Sequence, residues 1–286
     1  MSSIRRLIPN LLTAGNLIGG ILAITFTLQG RIDLAPYCIF ISALFDFLDG
    51  FAARILKVQN ELGKQLDSLA DMVTFGVAPG IIVYELIKSH YVIELITRDY
   101  SPSSWSLIFP TDTLSSCKMP FASEYLCHSF SYTYLPYFGF IIPVFALFRL
   151  AKFNLDSRQS DSFIGVPTPA VTIFFAAIPL MIMSGFSDST SWQYFFAKDF
   201  LMNPWFLIGI SIILSVLMLA EIPLFALKFK HFKWKENELR FIFLTISIGL
   251  LATLFVWALP IIILLYIILS LINNLIKKSV KDEIQS

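Results

Sequence analysis

Long apolar segments recur along the whole chain, and they limit its fold more than any other feature of the sequence. A helix needs about 20 apolar residues to cross a hydrocarbon core roughly 30 Å thick. With 56% hydrophobic and 14% charged residues, the chain lies outside the range of soluble domains. The sequence therefore predicts an all-α, polytopic transmembrane helical bundle, a single integral membrane domain over residues 1–286. About eight spans are predicted, at residues 10–29, 34–56, 67–88, 134–152, 166–185, 204–227, 241–258 and 260–276.

The number and direction of the spans follow from charged residues. Six or seven spans are alternatives, because Asp67 and Asp71 lie at the start of the third segment and only Pro260 separates the last two. Positive residues concentrate on the cytoplasmic side of membrane proteins. Eight spans with both termini inside put most of the 21 lysines and arginines on that side. The charge distribution therefore favours an even number of spans. The net charge of +1 does not indicate a partner, and no nucleic-acid partner is expected.

The cysteines indicate no metal site, since no histidine has ligand spacing to them. Cys38 lies within a predicted span, whereas Cys117 and Cys127 share a loop at about residues 89–133 that is predicted to be external. A disulfide and two free thiols are both compatible with that placement.

A polar motif stands out against this apolar background, between residues 46 and 71. Its pattern is D-x(2)-D-G-x(2)-A-R-x(8)-G-x(3)-D-x(3)-D, formed by Asp46, Asp49, Gly50, Ala53, Arg54, Gly63, Asp67 and Asp71. Residues three and four apart share one face of a helix. The first aspartate pair therefore projects from the end of the second span and the second pair from the start of the third. A short turn between the two helices would bring all four carboxylates together at the membrane edge.

Four converging carboxylates predict a divalent cation. Without one they would repel each other, and each would also lose hydration. Oxygen-only ligands suit Mg²⁺ or Mn²⁺, and these cations in turn suit a diphosphate. Gly50, Ala53 and Gly63 leave room for a nucleotide, and Arg54 can donate two hydrogen bonds to a phosphate.

The first span carries a polar stripe formed by Asn10, Thr13 and Asn16, which recur every three residues. These side chains offer neutral hydrogen-bonding groups at the depth of the aspartates. Ligand contact and packing between helices are both open readings of the stripe.

The stretch from Asp46 to Asp71 resembles the signature of the CDP-alcohol phosphotransferases, integral membrane enzymes of phospholipid synthesis. The resemblance implies a six-helix catalytic core, a homodimer and two divalent metal ions. It makes Asp46, Asp49, Asp67 and Asp71 metal ligands, and Asp71 the general base as well. It also implies that Gly50, Ala53, Arg54 and Gly63 shape the site for cytidine diphosphate, to which the stripe residues Asn10 and Thr13 would add.

Three further stretches are similar to the membrane-embedded phosphatidylserine synthases of bacteria: IPNLLTAGN at 8–16, FRLAKFN at 148–154 and FIGVPTPA at 163–170. This similarity implies transfer of the phosphatidyl group from CDP-diacylglycerol to L-serine with release of CMP, in the cell inner membrane with a cytoplasmic active site. Arg149 and Lys152 would bind the serine carboxylate, although their charges could instead serve only topology. Those enzymes usually have arginine where this chain has Lys152, which weakens the case for a direct role there.

Two other functions compete with this interpretation. A transferase of the same family could use glycerol 3-phosphate, inositol or choline, and Arg149, Lys152 and Arg158 would suit a phosphorylated acceptor. A divalent metal transporter is the alternative of another class, because carboxylates can line an ion pathway. Transporters place such groups near mid-membrane, whereas here they cluster at one edge.

Overall fold

Helices make up nearly all of the chain that the computed structural model describes, which is residues 2–99, 134–155, 163–225 and 237–285. They are α1 Ser2–Leu28, α2 Ala35–Ile55, α3 Glu61–Asp71, α4 Ala78–Asp99, α5 Ile141–Leu155, α6 Thr168–Gly185, α7 Trp192–Phe196, α8 Pro204–Leu219, α9 Glu238–Leu254 and α10 Ala258–Gln285. Short π-helices occupy Met72–Val77 and Ala197–Leu201, and 3₁₀ turns occupy Leu135–Phe140 and Phe255–Trp257. The strands β1 Phe163–Ile164 and β2 Pro223–Leu224 are two residues each. The predicted all-α membrane bundle is confirmed.

Each of the eight predicted segments overlaps a helix of the described chain. By length and composition, five helical stretches of the described chain can cross a membrane, or six if the pair Trp192–Leu201 and Pro204–Leu219, bent by 75°, forms one span. The 21-residue α2 is not among the five. The exact number of crossings stays a prediction. Cys117 and Cys127 and most of the predicted external loop lie outside the described residues.

The last two predicted spans form a helical hairpin. The rings of Phe243 in α9 and Tyr266 in α10 lie 5.7 Å apart although they are distant in sequence, so the two helices pack side by side. The chain turns at Phe255, whose φ is +49°. Pro260, the predicted break, instead lies in the first turn of α10, where proline removes no hydrogen bond that the helix needs. The two predicted spans are both present, and the turn between them lies a few residues before the predicted break.

The sixth span also ends earlier than the predicted residue 227. After Leu219 the chain becomes extended, and β2 pairs antiparallel with β1. Gly165 follows β1 with a φ of +77°, and its N–H donates to Ile222 O at 2.9 Å. A Cβ on Gly165 would lie 2.5 Å from Met218 O, so glycine is required there for both conformation and space.

Helix α1 packs closely against two elements through glycines. A Cβ on Gly19 would lie 2.0 Å from Ser42 Oγ in α2. A Cβ on Gly20 would lie 2.9 Å from Thr74 Cα, in the π-helix that follows α3. Small residues of this kind let helix backbones approach each other in a membrane. They set α1 beside α2, which carries the first aspartate pair, and beside the π-helix that directly follows the second pair.

The π-helix Met72–Val77 follows the motif without a break and is tied to its neighbours by hydrogen bonds. The Thr74 hydroxyl donates to Asn16 O at 3.0 Å, and the Thr172 hydroxyl lies 2.8 Å from Phe75 O. Segments of this kind often occur near functional sites. The residue four positions after Phe75 is Pro79, which has no N–H to donate, and Thr172 of α6 contacts the Phe75 carbonyl instead.

Helix α5 runs antiparallel to the α3–α4 stretch. Asn154 Nδ2 donates to Ser68 Oγ at 2.7 Å, and a Cβ on Gly76 would lie 3.2 Å from Ala146 Cβ. Both contacts fit one antiparallel register. The end of the bundle that contains Ser68 and Asn154 also contains the aspartates and is called the aspartate end below.

We expect Gly20→Ala to destabilise the bundle by about 1–3 kcal/mol, the usual cost of forcing extra volume into a packed interior. The added methyl group meets backbone of the π-helix, which has little freedom to move. Thermal unfolding in detergent would measure the change. Gly249→Ala in α9 is the matched control, since nothing lies within 4 Å of its Cβ position; equal stability of the two variants would contradict the prediction.

Candidate functional site

A tight turn between α2 and α3 brings the two halves of the aspartate motif together. Lys57 in this turn has a φ of +53°, which reverses the chain direction within a few residues. Asn60 then caps α3, its Oδ1 accepting from the Gly63 N–H at 2.6 Å. Side-chain caps at this position commonly contribute about 1 kcal/mol to a helix. The predicted helix, turn and returning helix are therefore all present.

Three of the four aspartates form a compact group. One carboxylate oxygen from each of Asp46, Asp49 and Asp67 lies within 4.8 Å of the other two. Asp49 is buried, with 5% of its surface exposed, and the other two are half-buried. Three negative charges this close repel each other strongly where water is scarce.

This aspartate group fits a divalent cation. All the donors are carboxylate oxygens, the type that hard cations such as Mg²⁺ prefer. Asp67 Oδ1 is buried and has no hydrogen-bond partner in the described part of the chain. A buried oxygen of this kind normally has a partner, and a bound cation would supply one. The three side chains are therefore placed so that they could hold a metal ion.

Asp71 lies beside this aspartate group but does not belong to it. Its carboxylate interacts with that of Asp46 and accepts a hydrogen bond from Asn16 Nδ2 at 2.9 Å. The sequence predicted that all four aspartates are metal ligands and that Asp71 is also the general base. In the structure the compact group contains three of them, with Asp71 next to Asp46.

The polar stripe of α1 contacts the aspartates directly. The Thr13 hydroxyl lies 2.6 Å from Asp49 Oδ2 and 3.1 Å from Pro9 O, and Asn16 reaches Asp71. Helix α1 thus supplies a donor to one residue of each aspartate pair. The sequence left packing and ligand contact open for this stripe. For Thr13 and Asn16 the partners are the aspartates themselves.

A pocket of about 180 Å³ adjoins the aspartate group at the aspartate end. Asp49 and Asp67 form part of its wall, so two carboxylates of the group face a space that a ligand can enter. Its lining is Pro9, Asn10, Thr13, Asp49, Gly50, Ala53, Val58, Gln59, Asn60, Gly63, Lys64 and Asp67. The structure brings together five of the six predicted nucleotide-site residues: Asn10, Thr13, Gly50, Ala53 and Gly63.

The small residues of the motif keep the pocket open. A Cβ on Gly50 would meet nothing within 4 Å, so its absence leaves free volume at the wall. At Gly63 a Cβ would approach Asn60 Oδ1 at 3.2 Å and disturb the cap of α3. One glycine therefore provides space and the other allows the α3 N-terminus to form.

Arg54 is not part of the pocket lining. Its side chain is exposed, and Nε donates to Gly50 O at 3.0 Å, one turn earlier in α2. Lys64 supplies a positive charge at the pocket instead, and its Nζ also donates to Asn154 O at 3.0 Å. The sequence reasoning missed Lys64, together with the turn residues Gln59 and Asn60. Asn60 had a local signal, since a polar residue directly before a helix often caps it.

The two predicted acceptor-binding cations have different environments, and neither lines the pocket. Arg149 is buried at 4% exposure, with Nε 3.4 Å from Val166 O and Nη2 3.5 Å from Gly165 O. Lys152 is more exposed and forms an ion pair with Glu221 at 2.9 Å. The structure therefore does not bring Lys152 and Arg149 together in one cationic pocket, because the Lys152 ammonium pairs with the Glu221 carboxylate.

Fold and site together define a polytopic membrane protein. At one end of its helical bundle lies a group of three aspartates that could hold a cation, with a pocket beside it. The chain belongs to the CDP-alcohol phosphatidyltransferase family, whose model matches residues 6–220. This range includes α1 to α8 apart from the first residues of α1, and it ends before α9 and α10.

Curated relatives resemble the chain over most of its length. It is 33% identical over 231 residues to the CDP-diacylglycerol–serine O-phosphatidyltransferase of Bacillus subtilis (strain 168), covering 81% of this chain and 94% of that protein. It is 27% identical over 271 residues to the protein of the same name from Helicobacter pylori (strain J99), covering 93% and 90%. An archaetidylserine synthase of Methanothermobacter thermautotrophicus is 24% identical over 217 residues, covering 75% and 68%.

We expect the purified protein to bind Mn²⁺, and Asp67→Asn to weaken that binding at least about tenfold. Loss of a support residue around a metal already costs 10–100-fold, and loss of a charged ligand costs no less. Titration followed by the Mn²⁺ electron paramagnetic resonance signal would measure it. Asp199→Asn, which changes an exposed aspartate of the second π-helix, is the control. Unchanged affinity in Asp67→Asn would remove Asp67 from the cation site.

Proposed function

We propose that this protein transfers the phosphatidyl group of CDP-diacylglycerol to the hydroxyl of L-serine, forming phosphatidylserine and CMP. One observation carries the proposal: the aspartate group opens onto a pocket walled by the small residues of the family motif. The names of the aligned relatives support serine as the acceptor. The enzyme would be a CDP-diacylglycerol–serine O-phosphatidyltransferase.

The cation site is proposed to hold Mg²⁺ or Mn²⁺, with two ions in the full complex. Asp46, Asp49 and Asp67 would be the ligands from this chain, with Asp71 close enough to share a second ion. When bound, such ions stabilise the negative charge of a diphosphate and of the departing CMP. Mg²⁺ and Mn²⁺ both accept oxygen ligands, so both belong to the proposal.

The pocket is proposed to bind the cytidine diphosphate part of the donor. Asn10 and Thr13 offer hydrogen-bonding groups, while the small residues Gly50 and Ala53 leave free volume at the pocket wall. Lys64 is placed to contact a phosphate oxygen. Arg54 would contribute from the rim after its side chain turns away from Gly50 O.

Asp71 is proposed as the general base. Its carboxylate takes the proton from the serine hydroxyl, and the serine oxygen then forms a bond to the phosphorus that carries the diacylglycerol. The bond from that phosphorus to CMP breaks, and the proton later passes from Asp71 to water. The hydrogen bond from Asn16 keeps the carboxylate in one orientation while this occurs.

Arg149 is proposed to bind the serine carboxylate. A guanidinium carries five N–H donors, and in the described chain Arg149 directs only two of them, at long distances, to carbonyl oxygens. The remaining donors suit a carboxylate, which a planar guanidinium can bind through two hydrogen bonds. Lys152 is engaged with Glu221, so we assign it a supporting role.

The surroundings of the site are also part of the proposal. The enzyme would lie in the cell inner membrane as a homodimer, with both termini and the aspartate end cytoplasmic. Serine and cytidine nucleotides are water-soluble, so an active site at that face gives them direct access. The acyl chains of the donor would meanwhile stay in the bilayer.

The test is CMP release from CDP-diacylglycerol by the purified protein with Mn²⁺, comparing serine, glycerol 3-phosphate, inositol and choline. We expect serine-dependent release accompanied by phosphatidylserine. Release with another acceptor would keep the reaction type and replace serine. No release with any acceptor, combined with Mn²⁺ uptake into vesicles, would favour a divalent metal transporter.

We expect Asp71→Asn to lower kcat by at least about 10²-fold, since general-base catalysis contributes 10²–10⁴-fold. The amide keeps the shape of the side chain but cannot accept the proton. Affinity for CDP-diacylglycerol, measured by binding in detergent, should change little. Complete loss of nucleotide binding would contradict the assigned role, and Asp199→Asn again serves as the control.

We expect Arg149→Ala to raise the KM for serine by about tenfold or more, the usual effect of losing a hydrogen bond to a charged group. The KM for CDP-diacylglycerol should change much less. Initial rates with each substrate varied in turn would measure both constants. Arg31→Ala, at an exposed arginine paired with Asp33, is the control. An equal rise in both constants would exclude Arg149 from the serine site.

A further inference from the structure

We infer that the helical hairpin α9–α10, which lies beyond the family match, positions Arg149 and thereby sets the affinity for the acceptor. This inference rests on the proposed function, since it assigns a second group of residues to the same serine site. The positioning residues are Tyr266 and Asn274 of α10. They act on Arg149 through the strands β2 and β1.

The first contact is between α10 and the β2 segment. Asn274 Nδ2 donates to Pro223 O at 2.6 Å, and the Tyr266 hydroxyl donates to Phe225 O at 2.9 Å. The Phe225 ring also packs against the rings of Phe243 and Tyr266, at 5.8 and 4.9 Å between centroids. Two hydrogen bonds and a ring cluster therefore hold the backbone on both sides of Leu224.

The second contact is between β2 and the segment that follows β1. Phe163 pairs with Leu224 and Ile164 with Pro223. The Gly165 N–H donates to Ile222 O at 2.9 Å, and the Val166 N–H donates to Leu217 O at 3.1 Å. The Val166 N–H and Gly165 O belong to one planar peptide unit, so this hydrogen bond fixes the direction of the Gly165 carbonyl. The Val166 carbonyl belongs to the next peptide unit, which joins Val166 to Pro167 directly after this fixed segment.

Those two carbonyl oxygens are the ones that Arg149 contacts. Arg149 Nε lies 3.4 Å from Val166 O, and Nη2 lies 3.5 Å from Gly165 O. The guanidinium also packs over the Phe153 ring, 5.6 Å from its centroid. No carboxylate of the described chain pairs with Arg149. The two carbonyl oxygens contact the buried guanidinium from one side and orient it. Because carbonyl groups are neutral, the positive charge of Arg149 stays available for a ligand.

The position of Arg149 along the bundle fits this role. The register fixed by Asn154 with Ser68 and by Ala146 with Gly76 puts Arg149 level with the start of the π-helix. That level is within about one helical turn of Asp71. Arg149 and the proposed base Asp71 therefore lie at similar depth in the bundle. Serine is small, so its carboxylate and its hydroxyl can reach these two residues only if they lie at similar depth.

A second tie comes from Lys152, one turn further along α5. Its ion pair with Glu221 joins α5 directly to the residues just before β2. Glu221 and Pro223 thus belong to one short extended segment that contacts α5 on one side and α10 on the other. Movement of α10 would reach Arg149 through this segment.

The test compares Tyr266→Phe/Asn274→Ala with the unmodified full-length enzyme. The pair removes two hydrogen bonds and keeps the ring cluster, so the fold should persist. We expect the KM for serine to rise about fivefold, the effect of losing roughly one net hydrogen bond. The kcat and the KM for CDP-diacylglycerol should stay within about twofold. Asn273→Ala is the matched control, because Asn273 forms no side-chain hydrogen bond within the described residues.

A double-mutant cycle with Arg149→Lys separates positioning from general loss of structure. Lysine keeps the charge but lacks the fork that the two carbonyls orient. In that background the α10 substitutions should leave the serine KM nearly unchanged. A fivefold rise that persists there, or a double α10 variant whose serine KM equals that of the control, would overturn the inference.

The failure of this inference is distinct from failure of the proposed function. If the unmodified enzyme releases no CMP with serine, the proposed function falls and the hairpin has no serine site to position. If the unmodified enzyme is active with serine and the α10 variants lose kcat with an unchanged serine KM, the function stands and the positioning role is excluded.

Discussion

The structure depends on keeping three carboxylates together where two helices meet at one end of a helical bundle. Asp46, Asp49 and Asp67 repel one another, and the surrounding apolar helices offer little screening. Their neighbours compensate only in part, since Thr13 donates to Asp49 while Asp67 Oδ1 has no partner in the described chain. A bound cation would complete this balance, because the electrostatic energy of the three carboxylates would fall if a metal ion entered between them.

Helix α1 makes this arrangement sterically stable. Its glycines allow contact with α2 on one side and with the π-helix on the other, and its polar stripe then reaches an aspartate of each pair. One helix therefore packs the bundle and supplies donors to the site. The packing of α1 against its neighbours therefore also orients the carboxylates of Asp49 and Asp71.

Much of the site could be predicted because helical periodicity is local. Spacings of three and four residues placed the aspartates on shared faces, and the pocket residues Gly50, Ala53 and Gly63 came with the motif. Contacts between distant segments could not be predicted in this way. Nothing near Lys152 in sequence indicates that Glu221 pairs with it, and nothing in the motif indicates that Asp71 stands apart from the other aspartates. The turn between the last two predicted spans was expected at Pro260 and lies at Phe255, because Pro260 gave the stronger local signal.

The order of the site along the chain has a consequence for biosynthesis. The pocket and aspartate group are formed entirely by residues 9–67, whereas Arg149 and the segments that hold it extend to Asn274. Chains are made from the N-terminus, and early segments begin to fold first. The proposed donor half can therefore assemble while the acceptor half is still in the ribosome. On the proposed function, the residues for the cation and the nucleotide would come together in a nascent chain well before Arg149 reaches its place.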